Sequence, residues 1–226
     1  MTAIRTARQR ARDELTHEIK QEARRRLAEV GSAQLSLRAV ARELGMASSA
    51  IYRYFPSRDD LLTALIVDAY TALGDAAESA DRPDAPAKDR FLLVCAAVRA
   101  WATAHPHEYA LLYGSPVPGY RAPAETVDPG TRVVRLLGEI TRAGKPLRPA
   151  IPRPLSPDLE AQMRRVLSAE ELDLTPDDLA RLFVVWSQLF GLISFELFGQ
   201  FTNGADPAEP LFQHTIEQMA AYLGLT

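Results

Sequence analysis

Cysteine is nearly absent. Cys95 is the only one in 226 residues, which excludes a disulfide within the chain. Its setting in the apolar run FLLVCAAV reads as a buried, inert thiol. Lysine occurs only at Lys20, Lys88 and Lys145, so arginine supplies almost all of the positive charge. The opening residues MTAIRTARQR lack the continuous apolar core of a signal peptide, and the expected location is the cytoplasm. Of the 4 histidines, His105 and His107 lie close together, but H-P-H-E lacks the ligand spacing of an H-E-x-x-H helix, and His17 and His214 are distant. Helix-end capping accounts better for these side chains than a metal does. No nucleophile elbow, P-loop or dinucleotide-binding glycine pattern occurs either. Without a catalytic set, metal site or cofactor motif, an enzyme is not expected.

What the chain has is apolar helical periodicity and an uneven charge. At 47% hydrophobic it can bury a sizeable core. The net charge of -3 conceals a split, because residues 1–60 hold 12 Lys plus Arg against 8 Asp plus Glu, a net of +4, and the remainder carries -7. A basic head on an acidic body suits a nucleic-acid partner. Arg5, Arg8, Arg10 and Arg12 form a basic arm ahead of the first helix, either a solvated tail or a reach toward phosphates or the minor groove.

The most specific stretch is LSLRAVARELGMASSAIYRYFPSR, residues 35–58. Leu37, Val40, Ala41 and Leu44 recur at i, i+3, i+4, i+7, the apolar face of a short helix that Ser36 can cap and Gly45 should end. A second short helix fits Ala47 to Phe55, stopped by Pro56. At about 100° per residue, Ile51 and Phe55 share its inner side while Ser49 and Arg53 face out. Two such helices joined by a glycine-containing turn are the helix-turn-helix unit, whose second helix enters the DNA major groove. From spacing alone, a plain solvated helical hairpin fits equally.

The run GMASSAIYRYFPSRDDLLTAL resembles the end of the DNA-binding domain of the TetR family of bacterial transcriptional regulators: a turn Gly, an aromatic pair, Phe-Pro-Ser and a basic residue. The preceding IKQEARRRLAEVGSAQLSLRAVARELG resembles the family's first helix and loop, so the likeness covers roughly residues 10–70 without gaps. One departure is Ala47, where the family often has a capping hydroxyl. The resemblance implies contacts to bases from Ser48, Ser49 and Tyr52, to phosphates from Ala50, Tyr54 and Arg58, and to a guanine edge or phosphate from Arg38. Arg53 joins them from its outward position on the second helix. Because serines read bases ambiguously, these residue types do not specify an operator sequence.

Beyond the head, Ser57 can cap a fourth helix with Asp59 and Asp60 in its first turn and Leu61, Leu62, Leu65, Ile66, Ala69 and Leu73 along its buried stripe. The expected division is an N-terminal arm and helix-turn-helix domain over 1–60, a connecting helix over 61–80, and a C-terminal effector-binding and dimerisation domain over 81–226. The fold class is all-α, three helices in the head and a larger helical body. In the body, Trp101, His105-Pro106 and GSPVPGY resemble a subgroup of the family. The segment KPLRPAIPRPLSP has too many prolines for regular structure. A helix opening at Thr175-Pro176 is apolar on nearly all sides, but Gln188 and Glu196 inside it argue against a membrane span and for burial between its own body and a partner.

The resemblance implies a homodimer through the last two helices, a double-stranded DNA operator and an unidentified small-molecule effector. Trp101, Tyr109, Tyr113, Phe183 and Trp186 are candidates to line its pocket, though aromatics at helical spacing are also what plain core looks like. The resulting expectation is a homodimeric repressor of a palindromic operator, released by an effector. The alternative is an all-helical small-molecule-binding protein or enzyme with a vestigial head.

Overall fold

A computed structural model describes residues 7–144, 154–170 and 172–225. Among them there are helices and turns and no strand. The chain divides into two compact units, residues 1–70 with 105–127, and residues 71–104 with 128–226.

The first unit begins with α1 (Ala7–Val30), which buries Ile19, Ala23 and Leu27 and stops at Gly31 in the left-handed region, φ 73°. After a 3-10 turn (Ser32–Gln34) comes α2 (Leu37–Glu43), ended at Gly45 with φ 64°. There Gly45 N–H bonds Arg42 O at 3.1 Å and Met46 N–H bonds Ala41 O at 2.8 Å. This paired closure is available because glycine adopts positive φ without a Cβ clash, and it returns Met46 to the core. α3 (Ser48–Ile51) is shorter than the expected Ala47–Phe55. Beyond Ile51 the chain tightens into i→i+3 bonds, Arg53 N–H to Ala50 O at 3.2 Å and Tyr54 N–H to Ile51 O at 2.9 Å. Ser36 and Ala47 stand at the N-caps of α2 and α3 without a side-chain cap bond.

α4 (Arg58–Ala80) opens on the expected cap: Asp60 N–H bonds Ser57 Oγ at 3.1 Å, and the hydroxyl donates to the Asp60 carboxylate at 2.7 Å. Its first part closes the head core with Leu61, Leu62 and Leu65. The head unit also contains 105–127, a stretch that sequence alone groups with the body. The reason lies in side chains. From α6 (Pro106–Tyr113) and the loop after it, Leu111, Val117 and Tyr120 pack on the head core. Thr63 Oγ1 and Tyr120 Oη share a hydrogen bond of 2.9 Å. Asp68 on α4 accepts from Lys20 and Arg24 at 2.7 and 2.6 Å, while Arg24 also reaches Glu108 at 2.9 Å, so α1, α4 and α6 meet in one half-buried ionic group.

The second unit holds the rest of α4, α5 (Ala87–Ala104), α7 (Val127–Ala143, from Asp128 onward), α8 (Pro157–Ala169), α9 (Pro176–Leu197) and α10 (Glu209–Leu223). The helix α9 is its spine, packing on α5, α8 and α10. Thr175 caps it as expected, with Asp178 N–H on its Oγ1 at 3.1 Å. This helix is long and apolar enough to cross a membrane by composition, but Leu179, Leu182, Val185, Leu189, Phe190 and Ile193 are buried against its neighbours. Arg99 of α5 fastens α9 through a two-pronged bond to Glu196 at 2.7 and 2.6 Å and also pairs with Glu209 of α10. Arg90 holds Asp81 by two bonds of 2.8 Å, closing the turn between α4 and α5. Most of the proline-rich segment, residues 145–153, lies outside the described residues.

Candidate nucleic-acid interface

A helix that approaches DNA needs an apolar inner side to fix it and an outer side free of bulk and negative charge. In α3 the inner residue is Ile51, fully buried, followed by Phe55 in the turn. Ser48, Ser49 and Arg53 are exposed, Ala50 and Tyr54 half-buried, and Tyr52 presents its ring to solvent at 42% exposure. The Tyr52 ring and hydroxyl are thus both open to an incoming surface, an amphipathic group with an apolar body and a polar tip. Arg38, also exposed, stands in the first turn of α2.

The arginines of the head fall into two sets. Arg24, Arg25, Arg26 and Arg58, together with Lys20, each meet a carboxylate within the fold. Arg8, Arg10, Arg12, Arg38, Arg42 and Arg53 have no carboxylate partner among the described residues, and all are exposed. The first set staples helices together; the second presents uncompensated charge, which is what phosphates attract. Arg42 escaped sequence reasoning, although its place four residues after Arg38, on the same face of α2, was the available signal.

Arg58 belongs to the stapling set. Its Nε donates to Leu35 O at 3.0 Å and its Nη2 to Ser32 O at 2.8 Å and Ala33 O at 3.3 Å. These bonds tie the start of α4 to the turn before α2. Nη1 makes no hydrogen bond to a carbonyl among the described residues and stands 3.8 Å from the Asp59 carboxylate, so Arg58 ties the head together through one part of its guanidinium and keeps Nη1 for the phosphate contact expected of it. The expected arm is also different in form: Arg8, Arg10 and Arg12 lie on α1 itself, and Arg5 lies outside the described residues.

The aromatic candidates for an effector site lie in two groups. Tyr109 and Tyr113 belong to the first unit, with ring centroids 5.1 Å apart and Tyr70 edge-on to Tyr113 at 6.1 Å. Burial pushes the Tyr113 and Tyr70 hydroxyls above the ordinary phenol range. Trp101, Phe183 and Trp186 belong to the second unit, where Phe183 and Trp186 are 6.2 Å apart and Phe190 follows at 5.9 Å. Two cavities of that unit, about 330 and 340 Å³, are lined instead by charged groups, Arg135, Glu139, Arg142 and Glu170 in one and Arg99 and Glu196 in the other. No group of three or more His, Cys, Asp or Glu that could hold a metal occurs among the described residues.

A short helix with an apolar back, held behind a glycine turn and fronted by hydroxyl, aromatic and uncompensated cationic side chains, defines a helix-turn-helix DNA-binding protein. Comparison with known proteins agrees. Residues 19–65 match the family model of bacterial regulatory proteins of the tetR family, and residues 91–219 match the tetracyclin repressor-like C-terminal domain. The HTH-type transcriptional regulator Rv1816 of Mycobacterium tuberculosis is 43% identical over 208 residues, covering 87% of this chain and 85% of that protein, and Mb1846 of Mycobacterium bovis is similar to the same extent. Among solved structures, a protein described as regulatory, SCO4313, superposes with a TM-score of 0.81 at 32% identity, over 96% of this chain and all of that one. BioQ, solved with its double-stranded DNA operator, shares the fold at a TM-score of 0.56 and 19% identity, over 93% of this chain and 98% of that one. The chain belongs to the TetR family of transcriptional regulators, which bind DNA operators as dimers and are not enzymes.

Proposed function

We propose that this protein is a cytoplasmic homodimeric repressor that reads a palindromic operator with Arg38, Ser48, Ser49, Tyr52 and Arg53, and releases it when a small molecule binds its body. The observation that carries the DNA half is the sorting of head arginines, which leaves the exposed surfaces of α1, α2 and α3 cationic while carboxylates neutralise the rest. BioQ's operator complex supports the same use of the fold.

Two stripes support the dimer. On α9, Val184, Gln188, Gly191, Phe195 and Phe198 recur at i, i+4, i+7, i+11, i+14, and Val184, Phe195 and Phe198 are 50, 53 and 46% exposed. On α10, Leu211, Thr215, Gln218 and Tyr222 follow the same spacing, with Tyr222 46% exposed. At Gly191 even an added Cβ would meet nothing within 4 Å, so another backbone can come close there. Exposed stripes of this length on adjacent helices, with Val184, Phe195, Phe198 and Tyr222 as their apolar members, suit a self-complementary two-fold contact, and a two-fold protein reads a two-fold site. Trp101, Phe183 and Trp186 give the body an apolar aromatic set of the kind that holds small ligands, with Tyr109 and Tyr113 a second such set. Footprinting the purified protein on DNA upstream of its own gene, with light scattering to fix its mass, tests the reading. Protection of an inverted repeat by a dimer supports it. A monomer, or no protection at low salt, refutes it.

A further inference from the structure

The core-facing stripe of α1 does not end where the core ends. Ile19 is fully buried and Leu15 half-buried; seven and eleven residues before Ile19 the same face continues as Arg12 and Arg8, so that Arg8, Arg12, Leu15 and Ile19 recur at i, i+4, i+7, i+11. A side that buries leucine and isoleucine farther along therefore carries guanidinium groups over its first two turns. Residues 7–12, which make up those turns, are all exposed. Arg12 shows where they lead. Its Nη2 donates to the carbonyl oxygen of Arg53 at 3.0 Å, and its guanidinium carbon sits 5.4 Å from the centre of the Tyr54 ring. The acceptor belongs to the tight turn that follows α3, two residues past its end, so Arg12 supplies that carbonyl with a charged donor. Stacking on Tyr54 fixes the plane of the group. A guanidinium has five N–H donors. The Nε and Nη1 donors of Arg12 have no partner among the described residues, and the residue is exposed.

We propose that Arg12, with Arg8 one turn before it, is a phosphate ligand of the operator and at the same time the residue that fixes the tight turn after the recognition helix. One edge of the guanidinium holds Arg53 O and one face lies on Tyr54, which leaves the other edge for a phosphate oxygen flanking the groove that α3 enters. Lysine cannot do both, because an ammonium has neither the planar fork nor the stacking face. The proposal rests on the DNA-binding reading above and adds α1 to its contact surface.

The test compares the wild-type protein with Arg12→Ala, Arg12→Lys and Arg8→Ala on two probes, the duplex that the wild type protects upstream of its gene and a scrambled duplex of equal length, by fluorescence anisotropy over a range of salt. Arg164→Ala, which removes an exposed cation of α8 paired with Glu160, serves as the control. Arg12→Ala is expected to weaken specific binding at least tenfold and to lower the slope of log K against log salt by about 0.9 per protomer, the loss of one phosphate contact. Arg12→Lys is expected to keep the slope and lose affinity, because the charge remains while the hold on Arg53 and Tyr54 is lost. Arg8→Ala is expected to lower the slope with a smaller loss of affinity. An Arg12→Ala protein with unchanged slope overturns the phosphate contact, whether or not affinity falls, since a purely structural residue weakens binding without changing the ions released. An Arg12→Lys protein equal to wild type overturns the fixing role. If the wild type itself protects no duplex, the regulator reading falls first and takes this one with it.

Discussion

Alanine at Gly74 should change the sign of its effect according to what stands opposite it. Gly74 lies within α4, where alanine is intrinsically better than glycine by about 1 kcal/mol. In the native protein the added Cβ would stand 2.7 Å from Nε of Arg132, 2.8 Å from Cζ and 3.0 Å from Cδ, closer than such atoms approach. The guanidinium would have to move, and it is tied down on every side. Nη1 donates to Thr71 O at 3.0 Å, Nη2 to Asp75 at 2.6 Å, and Nε and Nη2 to Glu78 at 2.8 and 2.6 Å. Asp75 and Glu78 are 63 and 46% exposed, so solvent screens both ion pairs and each contributes roughly 0.5 kcal/mol. The bond to the Thr71 carbonyl adds about 1 kcal/mol. Displacing Arg132 thus costs about 2 kcal/mol against a propensity gain of about 1 kcal/mol, and Gly74→Ala should destabilise by about 1 kcal/mol. In an Arg132→Ala background nothing remains to displace. There Gly74→Ala should stabilise by about 1 kcal/mol, a coupling of about 2 kcal/mol across the double-mutant cycle. Urea unfolding at one fixed protein concentration measures all four proteins, concentration being fixed because dimerisation shifts the midpoint. The same sign in both backgrounds would refute the account of how α7 is fastened to the end of α4.

Three further outcomes follow from contacts already described. Tyr52→Ala should leave the melting temperature within a few degrees of wild type, because the ring is largely exposed, while lowering operator affinity by about 1–3 kcal/mol in a gel-shift titration. Phe195→Glu, which places a charge in the middle of the α9 stripe, should yield monomers by light scattering and abolish footprinting at concentrations where the wild type protects fully. Asp81→Asn should destabilise the protein by about 2 kcal/mol at neutral pH, since it breaks a two-pronged bond whose partners are only 9 and 11% exposed. The hydrogen bonds from Arg90 hold the Asp81 carboxyl below the usual carboxylate range. Its stabilisation is therefore complete above the unfolded value of about 3.9 and fades as the pH falls through the folded one, so the difference between wild type and Asp81→Asn in urea unfolding should shrink in acid.

The legible parts of this fold were those where one residue type has one physical use. Glycine at 31 and 45 marked helix ends because positive φ is cheap only without a Cβ, and Ser57 and Thr175 marked helix starts because a hydroxyl followed by acids is a cap. The length of α3 was not legible. Its apolar spacing, Ile51 and Phe55, is satisfied equally by an α-helical turn and by the tighter i→i+3 turns that follow Ile51. The start of α1 was hidden for a different reason: the apolar stripe that signals a helix begins only at Leu15, whereas the turns before it carry arginine on that same face. The packing of 105–127 on the head left no local trace either, because Leu111 and Glu108 look like ordinary helical residues until Arg24 and the head core are seen beside them.

Charge was the least legible property, and it matters most for function. Counting gave the head a net of +4 over residues 1–60, which treats every arginine alike. In the folded head they are not alike. Arg24 is shared between Asp68 and Glu108, Arg25 lies between Glu22 and Glu29, and Arg58 is bound to three backbone carbonyls. Such groups are held by their own partners within the fold. The cations that remain, Arg8, Arg10, Arg12, Arg38, Arg42 and Arg53, sit on the first turns of α1, on α2 and in the turn after α3. A chain with a pI near 5.9 can bind a polyanion under these conditions, because phosphates respond to the field within a Debye length of about 10 Å rather than to the total charge. The carboxylates of the head thus sort its charge: they pair with one set of arginines and leave the other, on α1, α2 and the turn after α3, without a carboxylate partner among the described residues.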